Sequence, residues 1–284
     1  TVEQALRNAA AAQPGWNATP AAGRATILER AADLLEEQTA KYMALCTAEA
    51  GKSLADGIAE VREAVDFLRY YAKNAREQFV DTALPGPTGE SNVLQLHGRG
   101  VFVCISPWNF PLAIFLGQVA AALAAGNSVI AKPAEQTTLI GFEAIKLLHQ
   151  AGIPLDVLQY LPGDGATVGA ALTADARVAG VAFTGSTDTA RAINRTMAGR
   201  DAAIGVLIAE TGGQNALIAD SSSLPEQLVK DAIGSAFTSA GQRCSAARVL
   251  FVQEDIADKV MTMLAGAMAE LKVGNPALLS TDVG

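Results

Sequence analysis

The sequence is poor in cysteine, histidine and basic residues, and each shortage excludes a class of protein. Three cysteines in 284 residues imply no disulfide framework, so we expect a reducing compartment, the cytoplasm. The two histidines lie far from any pair of cysteines, so we expect no metal site. Lys and Arg number 21 against 29 Asp and Glu, a formal net charge of -8. An acidic surface repels phosphate groups, so we expect neither a nucleic-acid partner nor a lipid-binding basic face.

The chain also lacks an unbroken hydrophobic run long enough to cross a membrane. Residues 101–131 contain no charged side chain, but they are interrupted by Pro107, Asn109, Pro111 and Gln118, among others. We therefore interpret this stretch as a buried strand, turn and helix, and we expect no membrane span. Hydrophobic residues nevertheless make up 50% of the sequence, which is enough for a sizeable core and excludes wholesale disorder.

Two long amphipathic helices are predicted near the start of the chain. Their apolar faces are formed by Ile27, Leu28, Ala31, Leu34 and Leu35, and by Ile58, Val61, Val65 and Leu68. The Pro- and Gly-rich residues 84–89 then end the helical pattern. We expect an excursion over residues 84–99, with a strand over 91–97.

After Gly100, short β-branched runs alternate with helical segments. The predicted strands cover residues 101–106, 128–132, 157–161, 178–183 and 204–209, and the predicted helices cover residues 112–125, 137–150, 166–172 and 187–198. This alternation predicts an α/β fold with a Rossmann-type parallel sheet covered on both faces. Ligands of such sheets bind at the carboxyl ends of the strands, so the residues there are the candidates for function.

A second α/β unit is expected to begin at residue 211, so that the first unit covers residues 1–210 and the second covers 211–284. Its predicted elements are a strand over 216–219, a helix that ends at Gly241, a strand over 248–252 and a helix over 256–271. Ser223 and Glu226 form a capping-box pattern at the start of the first of these helices, with Pro225 in its first turn.

Three residues at the ends of predicted elements have side chains suited to covalent catalysis. Cys244 follows a helix and a glycine, and the neighbouring Arg243 would lower the pKa of its thiol; a buried small hydrophobe is the alternative. Glu210 ends an apolar strand, where burial would raise its pKa towards that of a useful base; a helix-capping or salt-bridging role is the alternative. Asn109 lies between two proline-containing steps and has an amide to donate to an oxyanion, or it is a turn residue. Cys46 and Cys104 are interpreted as core residues.

Other polar residues at strand ends have the chemistry of a nucleotide site. Residues 184–186 (Thr-Gly-Ser) open a helix whose free N–H groups can bind phosphate, although Ser and Thr are also ordinary caps. Lys132 and Glu135 can hydrogen-bond ribose hydroxyls or form a solvated pair. The glycines at 163, 165 and 169 do not match the dinucleotide-binding fingerprint and are a weak signal.

Taken in order along the chain, these motifs resemble those of the aldehyde dehydrogenase superfamily. They are SPWNFP (106–111), KPAE (132–135), FTGS (183–186), ETGG (210–213) and GQRC (241–244). Within the superfamily the chain is similar to the L-glutamate γ-semialdehyde (1-pyrroline-5-carboxylate) dehydrogenase branch, including the proline utilisation A family of bifunctional proline-catabolic flavoproteins. Residues 60–71, 210–216 and 239–246 carry that similarity.

The resemblance implies a role for each matching residue. Cys244 is the implied nucleophile, Glu210 the implied general base, and the Asn109 side chain with the Cys244 amide the implied oxyanion hole. For the cofactor, Lys132 and Glu135 are implied to hold the adenosine ribose, Ser186 to meet the pyrophosphate, and Gly165 to lie near the adenine. Ser106 and Trp108 are further implied cofactor-binding residues. Ser245 and Phe67 are the implied substrate contacts.

The resemblance also implies an activity, the NAD-dependent oxidation of L-glutamate γ-semialdehyde to L-glutamate through a Cys thiohemiacetal and thioester. Glu210 argues against the acylating members of the superfamily. The alternatives are an NAD(P)-linked dehydrogenase of another semialdehyde, such as succinate semialdehyde, and a non-catalytic relative. We expect a homo-oligomer, and FAD only if a proline dehydrogenase domain is fused upstream.

The ends of the sequence lead us to expect a piece of a longer polypeptide. The chain begins at Thr1 without Met, and the Glu-x-Phe-Gly-Pro motif by which the superfamily holds the nicotinamide ribose is absent. We therefore expect a polypeptide of residues 1–284 alone to lack dehydrogenase activity.

Overall fold

The computed structural model describes all residues from 1 to 284, and it begins with four helices rather than the two predicted. They are α1 (Val2–Ala18), α2 (Ala21–Glu37), α3 (Thr39–Ala50) and α4 (Leu54–Gln78). The two predicted apolar faces belong to α2 and α4, which pack against each other. The face on α4 is narrower than expected because Ile58 is 46% exposed, whereas Val61, Val65 and Leu68 are buried. Helices α1 and α3 were missed, because both are rich in small or polar residues and carry few large apolar side chains.

A small hairpin follows these helices. It consists of β1 (Thr82–Leu84) and β2 (Asn92–Leu94), which pair antiparallel and are exposed throughout. The hairpin lies within the predicted excursion over residues 84–99, apart from its first two residues, and β2 is the predicted strand in shorter form.

The centre of the molecule is a parallel sheet of five strands, as predicted. The strands are β3 (Val101–Ile105), β4 (Ser128–Lys132), β5 (Leu158–Tyr160), β6 (Val178–Gly185) and β7 (Val206–Thr211), in the order β5-β4-β3-β6-β7. The connecting helices are α5 (Ala113–Ala124), α6 (Thr138–Ala151), α7 (Ala170–Ala174), which follows one turn of π-helix (Gly165–Gly169), and α8 (Thr187–Ala198). The uncharged residues 101–131 form β3, α5 and β4 and lie in the core of the sheet.

The order of these strands places a ligand crevice at a known point of the sheet. From β3 the chain moves outward through β4 to β5, and it then returns to the other side of β3 with β6 and β7. The direction of winding therefore reverses between β3 and β6. In open parallel sheets, ligands bind outside the carboxyl ends of the strands at such a reversal.

A smaller unit follows the central sheet. Its strands β8 (Asn215–Ala219) and β9 (Ala247–Val252) pair parallel, and its helices are α9 (Pro225–Phe237) and α10 (Glu254–Glu270). The predicted capping box is absent: Leu224 occupies the N-cap position and no side chain caps α9, because the helix begins one residue too late for Ser223 to serve as its cap. Helix α9 also ends earlier than predicted, at Phe237, and a 3₁₀ turn (Thr238–Gly241) follows it.

The hydrophobic core divides into three clusters. The largest joins the N-terminal helices to one side of the central sheet, and a second joins α1 and α8 to the other side. A small third cluster lies between β8, β9, α9 and α10. The predicted boundary between residues 210 and 211 falls inside β7, and the two-domain division stays a prediction. No helix combines the length and the hydrophobicity that a membrane crossing requires.

Candidate active site

Cys244 lies in a sharply turned loop between α9 and β9. The backbone shortly before it has three successive positive φ angles, of 55° at Ser239, 55° at Ala240 and 67° at Gly241. A side chain at Gly241 would bring its Cβ within 2.6 Å of the carbonyl oxygen of Ala236, so this position requires glycine. We call residues 238–244 the nucleophile turn. Cys244 is exposed, as a nucleophile must be.

Hydrogen bonds from two asparagines hold the residues around Cys244. The Nδ2 of Asn109 donates to the carbonyl oxygen of Gln242 over 2.6 Å. The Nδ2 of Asn215 donates to the carbonyl oxygens of Cys244 (2.6 Å) and Ala246 (3.0 Å). An amide nitrogen carries two N–H donors, so Asn109 keeps one for a further acceptor near the thiol.

A cleft of about 690 Å³ extends from Cys244 along the carboxyl ends of β3, β6 and β7. Five of the residues predicted to be functional line it: Ser106, Trp108, Asn109, Ser186 and Cys244. The position matches the reversal of the sheet, where the topology places a ligand. The cleft is therefore the candidate nucleotide site.

Ser186 is the N-cap of α8. Its Oγ accepts from the backbone N–H of Thr189 over 3.2 Å, and other amides of the first turn have no helical partners. Ser186 and Thr189 both line the cleft, so the start of α8 lies at its wall. Both interpretations of residues 184–186 are compatible with this geometry, because a capped helix start can also face a phosphate.

Lys132, Glu135 and Gly165 do not line the cleft itself but lie together beside it. Lys132 is buried, and its ammonium donates to the carbonyl oxygen of Pro133 over 3.2 Å. Burial lowers the pKa of Lys132, while the carboxylates of Glu135 and Asp164 oppose that effect. The N–H of Gly165 donates to Oε1 of Glu135 over 2.9 Å. Two N–H donors of the Lys132 ammonium and the second oxygen of Glu135 therefore remain free to bond neighbouring hydroxyl groups. A ribose carries such a pair of hydroxyl groups, so these residues fit the ribose of a dinucleotide.

A second cavity, of about 520 Å³, meets the cleft at Cys244. Glu210 and Phe67 line it, so the predicted nucleophile, general base and one predicted substrate contact share one space. The expectation that Glu210 is buried is wrong: it lies exposed on β7, which is an edge strand of the sheet. Ser245 is exposed and lines neither cavity, so its predicted substrate contact has no counterpart in the geometry.

Sequence reasoning missed Glu63, which also lines the second cavity. Although part of its side chain is open to solvent, the pKa of Glu63 is raised, first by the loss of water around the carboxyl and then by the nearby carboxylate of Glu60. Arg243 and Lys52 partly oppose this. The sequence contains a pattern that could have indicated it. Glu63 is four residues before the predicted substrate contact Phe67, and residues at that spacing share a helix face.

The other two thiols are core residues, as predicted. Cys46 and Cys104 are fully buried, and burial raises the pKa of both, that of Cys104 to about 12. Neither forms a thiolate near neutral pH. No group of three His, Cys, Asp or Glu side chains is arranged to hold a metal ion.

A parallel sheet with a cleft at its topological reversal, and an exposed thiol where that cleft meets a cavity with a carboxylate, are features typical of dinucleotide-linked enzymes that use covalent catalysis. A family model described as "Aldehyde dehydrogenase family" matches residues 1–284, and the chain belongs to this family. The family uses a nicotinamide dinucleotide.

Two curated relatives show which members of the family the chain is similar to. It is 58% identical over 286 residues to the bifunctional protein PutA of Salmonella typhimurium, covering 100% of this chain and 21% of the relative. It is 37% identical over 285 residues to the 1-pyrroline-5-carboxylate dehydrogenase of Anoxybacillus flavithermus, covering 99% of this chain and 55% of the relative. The chain thus spans about a fifth of the PutA relative and about half of the single-function one.

A solved structure shows the same fold. The crystal structure of a bifunctional proline utilization A protein superposes with a TM-score of 0.98 at 60% identity, covering 100% of this chain and 29% of that one. The α/β fold with its parallel sheet is thus that of aldehyde dehydrogenases.

Proposed function

We propose that the protein oxidises L-glutamate γ-semialdehyde, the open form of 1-pyrroline-5-carboxylate, to L-glutamate with NAD in proline catabolism. One observation carries the proposal: Cys244 lies where the nucleotide cleft meets a cavity lined by Glu210, Glu63 and Phe67. A substrate in that cavity can reach the thiol from one side while the nucleotide reaches the same point from the other. The name of the Anoxybacillus flavithermus relative, 1-pyrroline-5-carboxylate dehydrogenase, supports this substrate, and the name of the solved structure, proline utilization A, supports a role in proline catabolism.

In the proposed reaction, the thiolate of Cys244 attacks the aldehyde carbon and forms a tetrahedral thiohemiacetal. The free N–H of Asn109 and the amide of Cys244 stabilise the oxyanion on the former carbonyl oxygen. The nicotinamide dinucleotide, when bound, supplies the hydride acceptor. Glu210 then takes a proton from water, which attacks the resulting thioester, and the carboxylic acid leaves as the Cys244 thiolate re-forms.

The cavity walls favour a substrate that carries an ammonium group. Glu63 gives the cavity a carboxylate besides Glu210, and Phe67 gives it an apolar wall four residues further along the same helix. Glutamate semialdehyde has an α-ammonium for Glu63 to accept from, whereas succinate semialdehyde has none. A charge-assisted hydrogen bond of this kind distinguishes the two substrates.

For the nucleotide, we propose NAD rather than NADP. Glu135, which lies beside the buried ammonium of Lys132, is placed to accept from a ribose hydroxyl, and its charge would repel a 2′-phosphate. We further propose that the protein acts in the cytoplasm as a homo-oligomer. The name of the PutA relative marks it as bifunctional, and we propose that this chain likewise works beside an FAD-dependent proline dehydrogenase domain.

A kinetic panel on the complete protein tests the substrate. We expect a higher kcat/KM for glutamate semialdehyde than for succinate semialdehyde. Glu63→Gln should raise KM for glutamate semialdehyde by about 10- to 100-fold, the value of a hydrogen bond to a charged group, and leave KM for succinate semialdehyde unchanged.

The matched control is Glu77→Gln, at an exposed position on the same helix, which should change neither KM. A preference for succinate semialdehyde would favour that alternative substrate. Absence of turnover with every aldehyde would favour a non-catalytic relative.

A further inference from the structure

A buried ammonium group links the N-terminal helices α1–α4 to the nucleophile turn. The side chain of Lys52, between α3 and α4, is 3% exposed. Its Nζ donates to Oγ of Ser239 over 2.8 Å and lies 3.4 Å from Oε2 of Glu60. It also lies 4.4 Å from the centre of the Phe110 ring, directly after Asn109 in sequence. One cation therefore contacts both segments that bear the proposed catalytic groups.

Glu60 extends this contact to the Asn109 segment. Its Oε1 accepts from the backbone N–H groups of Leu112 and Ala113, both over 3.0 Å. These are the first amides of α5, which has no cap from its own neighbouring side chains. Glu60 therefore fixes the start of the helix that immediately follows residues 109–111.

The nucleophile turn needs such support because its backbone is disfavoured. Ser239 and Ala240 both lie in the left-handed region, where residues with a Cβ are uncommon. Conformations of this kind persist where surrounding contacts determine them, and they cluster at active sites. The Ser239 hydroxyl is buried, and the Lys52 ammonium is its partner from outside the turn.

We propose that Lys52 and Glu60 are positioning residues, which fix the nucleophile turn relative to residues 109–111. Lys52 holds the turn through its hydrogen bond to Ser239. Glu60 holds residues 109–111 through its bonds to the amides at the start of α5. The proposal rests on the proposed function for Cys244 and Asn109. A buried ion pair commonly adds little net stability, so we assign this pair a role in geometry rather than in stability.

Ser239→Ala is the variant that tests the link. Removing Lys52 or Glu60 would leave the partner charge buried and unpaired, which is strongly destabilising and would confuse a loss of folding with a loss of positioning. Ser239→Ala deletes only the hydroxyl and keeps the ion pair. In the complete protein we expect kcat to fall by about 10- to 100-fold, the effect of misplacing reacting groups by about an ångström. KM for the nucleotide and the melting temperature should stay near those of the wild type.

The control is Ser223→Ala, a serine before α9 whose hydroxyl has no partner in the structure; it should leave kcat unchanged. A double-mutant cycle with Asn109→Ala adds a readout that a merely structural role would not move. If the Lys52–Ser239 hydrogen bond acts by placing Cys244 against Asn109, the loss of kcat caused by Ser239→Ala should largely disappear in the Asn109→Ala background. Unchanged kcat in Ser239→Ala, a loss that is additive with Asn109→Ala, or a loss explained by a lower melting temperature would each overturn the proposal.

A measurement without substrate separates this proposal from the proposed function. The rate of Cys244 alkylation by iodoacetamide, followed by peptide mass spectrometry, should fall about threefold or more in Ser239→Ala, because the nucleophile turn would no longer hold the thiol in its exposed position at the cleft. If the wild type oxidises no aldehyde, the proposed function fails while this rate still decides the proposal. An alkylation rate equal to that of the wild type would refute the positioning role.

Discussion

At the scale of the residue, the three cysteines occupy environments that predict different reactivity. Cys244 is exposed at the junction of the two cavities, whereas Cys46 and Cys104 are buried with raised pKa values. We expect iodoacetamide to label Cys244 alone in the native protein, because attack requires an accessible thiolate. Cys244→Ala should abolish both labelling and NADH formation. Labelling of Cys46 or Cys104 at a similar rate, or activity within a few fold of the wild type in Cys244→Ala, would contradict the assignment.

Glu210 has a proposed role in only the second half of the reaction. Glu210→Gln keeps the shape of the side chain and removes its ability to accept a proton. We expect a burst of about one NADH per active site followed by very slow turnover, since the thioester would form but not hydrolyse. Rapid-mixing absorbance measurements show the burst. The comparison variant is Glu270→Gln, at the exposed end of α10, which should give normal steady-state turnover; the same behaviour in Glu210→Gln would exclude the role.

At the scale of the element, two helix starts differ in a testable way. Ser186 caps α8 through its bond to the Thr189 amide, whereas Ser223 lies one residue before the N-cap of α9 and bonds no helix amide. Ser186→Ala should therefore destabilise the protein by about 1 kcal/mol, while Ser223→Ala should change stability by less than about 0.5 kcal/mol. Denaturant unfolding of the two variants gives the values. Equal losses would mean that the Ser186 hydrogen bond contributes nothing particular to α8.

The strands and helices after residue 100 were largely predictable, because apolar β-branched runs and local caps are encoded by neighbouring residues. Helix α8, for example, has the predicted bounds. The starts of α5 and α6 were also predicted to within one residue, but the side chains that bond their first amides could not be predicted from local sequence. Glu60 accepts from the first amides of α5 and Glu49 from those of α6, at sequence separations of 52 to 91 residues.

The same limit applies to the candidate site. Motif order along the chain pointed to Cys244, Glu210 and Asn109, whereas the contact of Lys52 with Ser239 spans 187 residues and no local pattern indicates it. The exposure of Glu210 was missed for a similar reason, since an edge strand and a central strand of like composition differ only in their neighbours.

At the scale of the whole molecule, the N-terminal helices α1–α4, the central sheet and the smaller unit meet around Cys244. Helix α4 contributes Glu63 to the second cavity, and Lys52, just before it, contacts the nucleophile turn at Ser239. The sheet contributes most of the candidate nucleotide cleft, and the smaller unit contributes the thiol. The cleft walls come mostly from the sheet and the segments at its carboxyl edge. Nucleotide binding should therefore not depend on the thiol, and it can be measured apart from catalysis.

Thermal unfolding with and without nucleotide tests this division of roles. At about 100 times its Kd, a ligand of the native state stabilises it by about 2.7 kcal/mol, a rise of roughly 5–10 °C in Tm for a domain of this size. We expect this rise with NAD for both the wild type and Cys244→Ala, and a smaller rise with NADP at equal concentration. Glu135→Gln removes the charge that would repel the 2′-phosphate, so it should bring the two rises closer together.

Glu90→Gln, in the exposed loop between β1 and β2, is the matched control and should preserve the difference between the nucleotides. Each outcome bears on one part of the molecule. Equal rises with NAD and NADP in the wild type would refute the proposed role of Glu135. Loss of the NAD effect in Cys244→Ala would show instead that the nucleophile turn, and not the sheet, provides most of the binding energy.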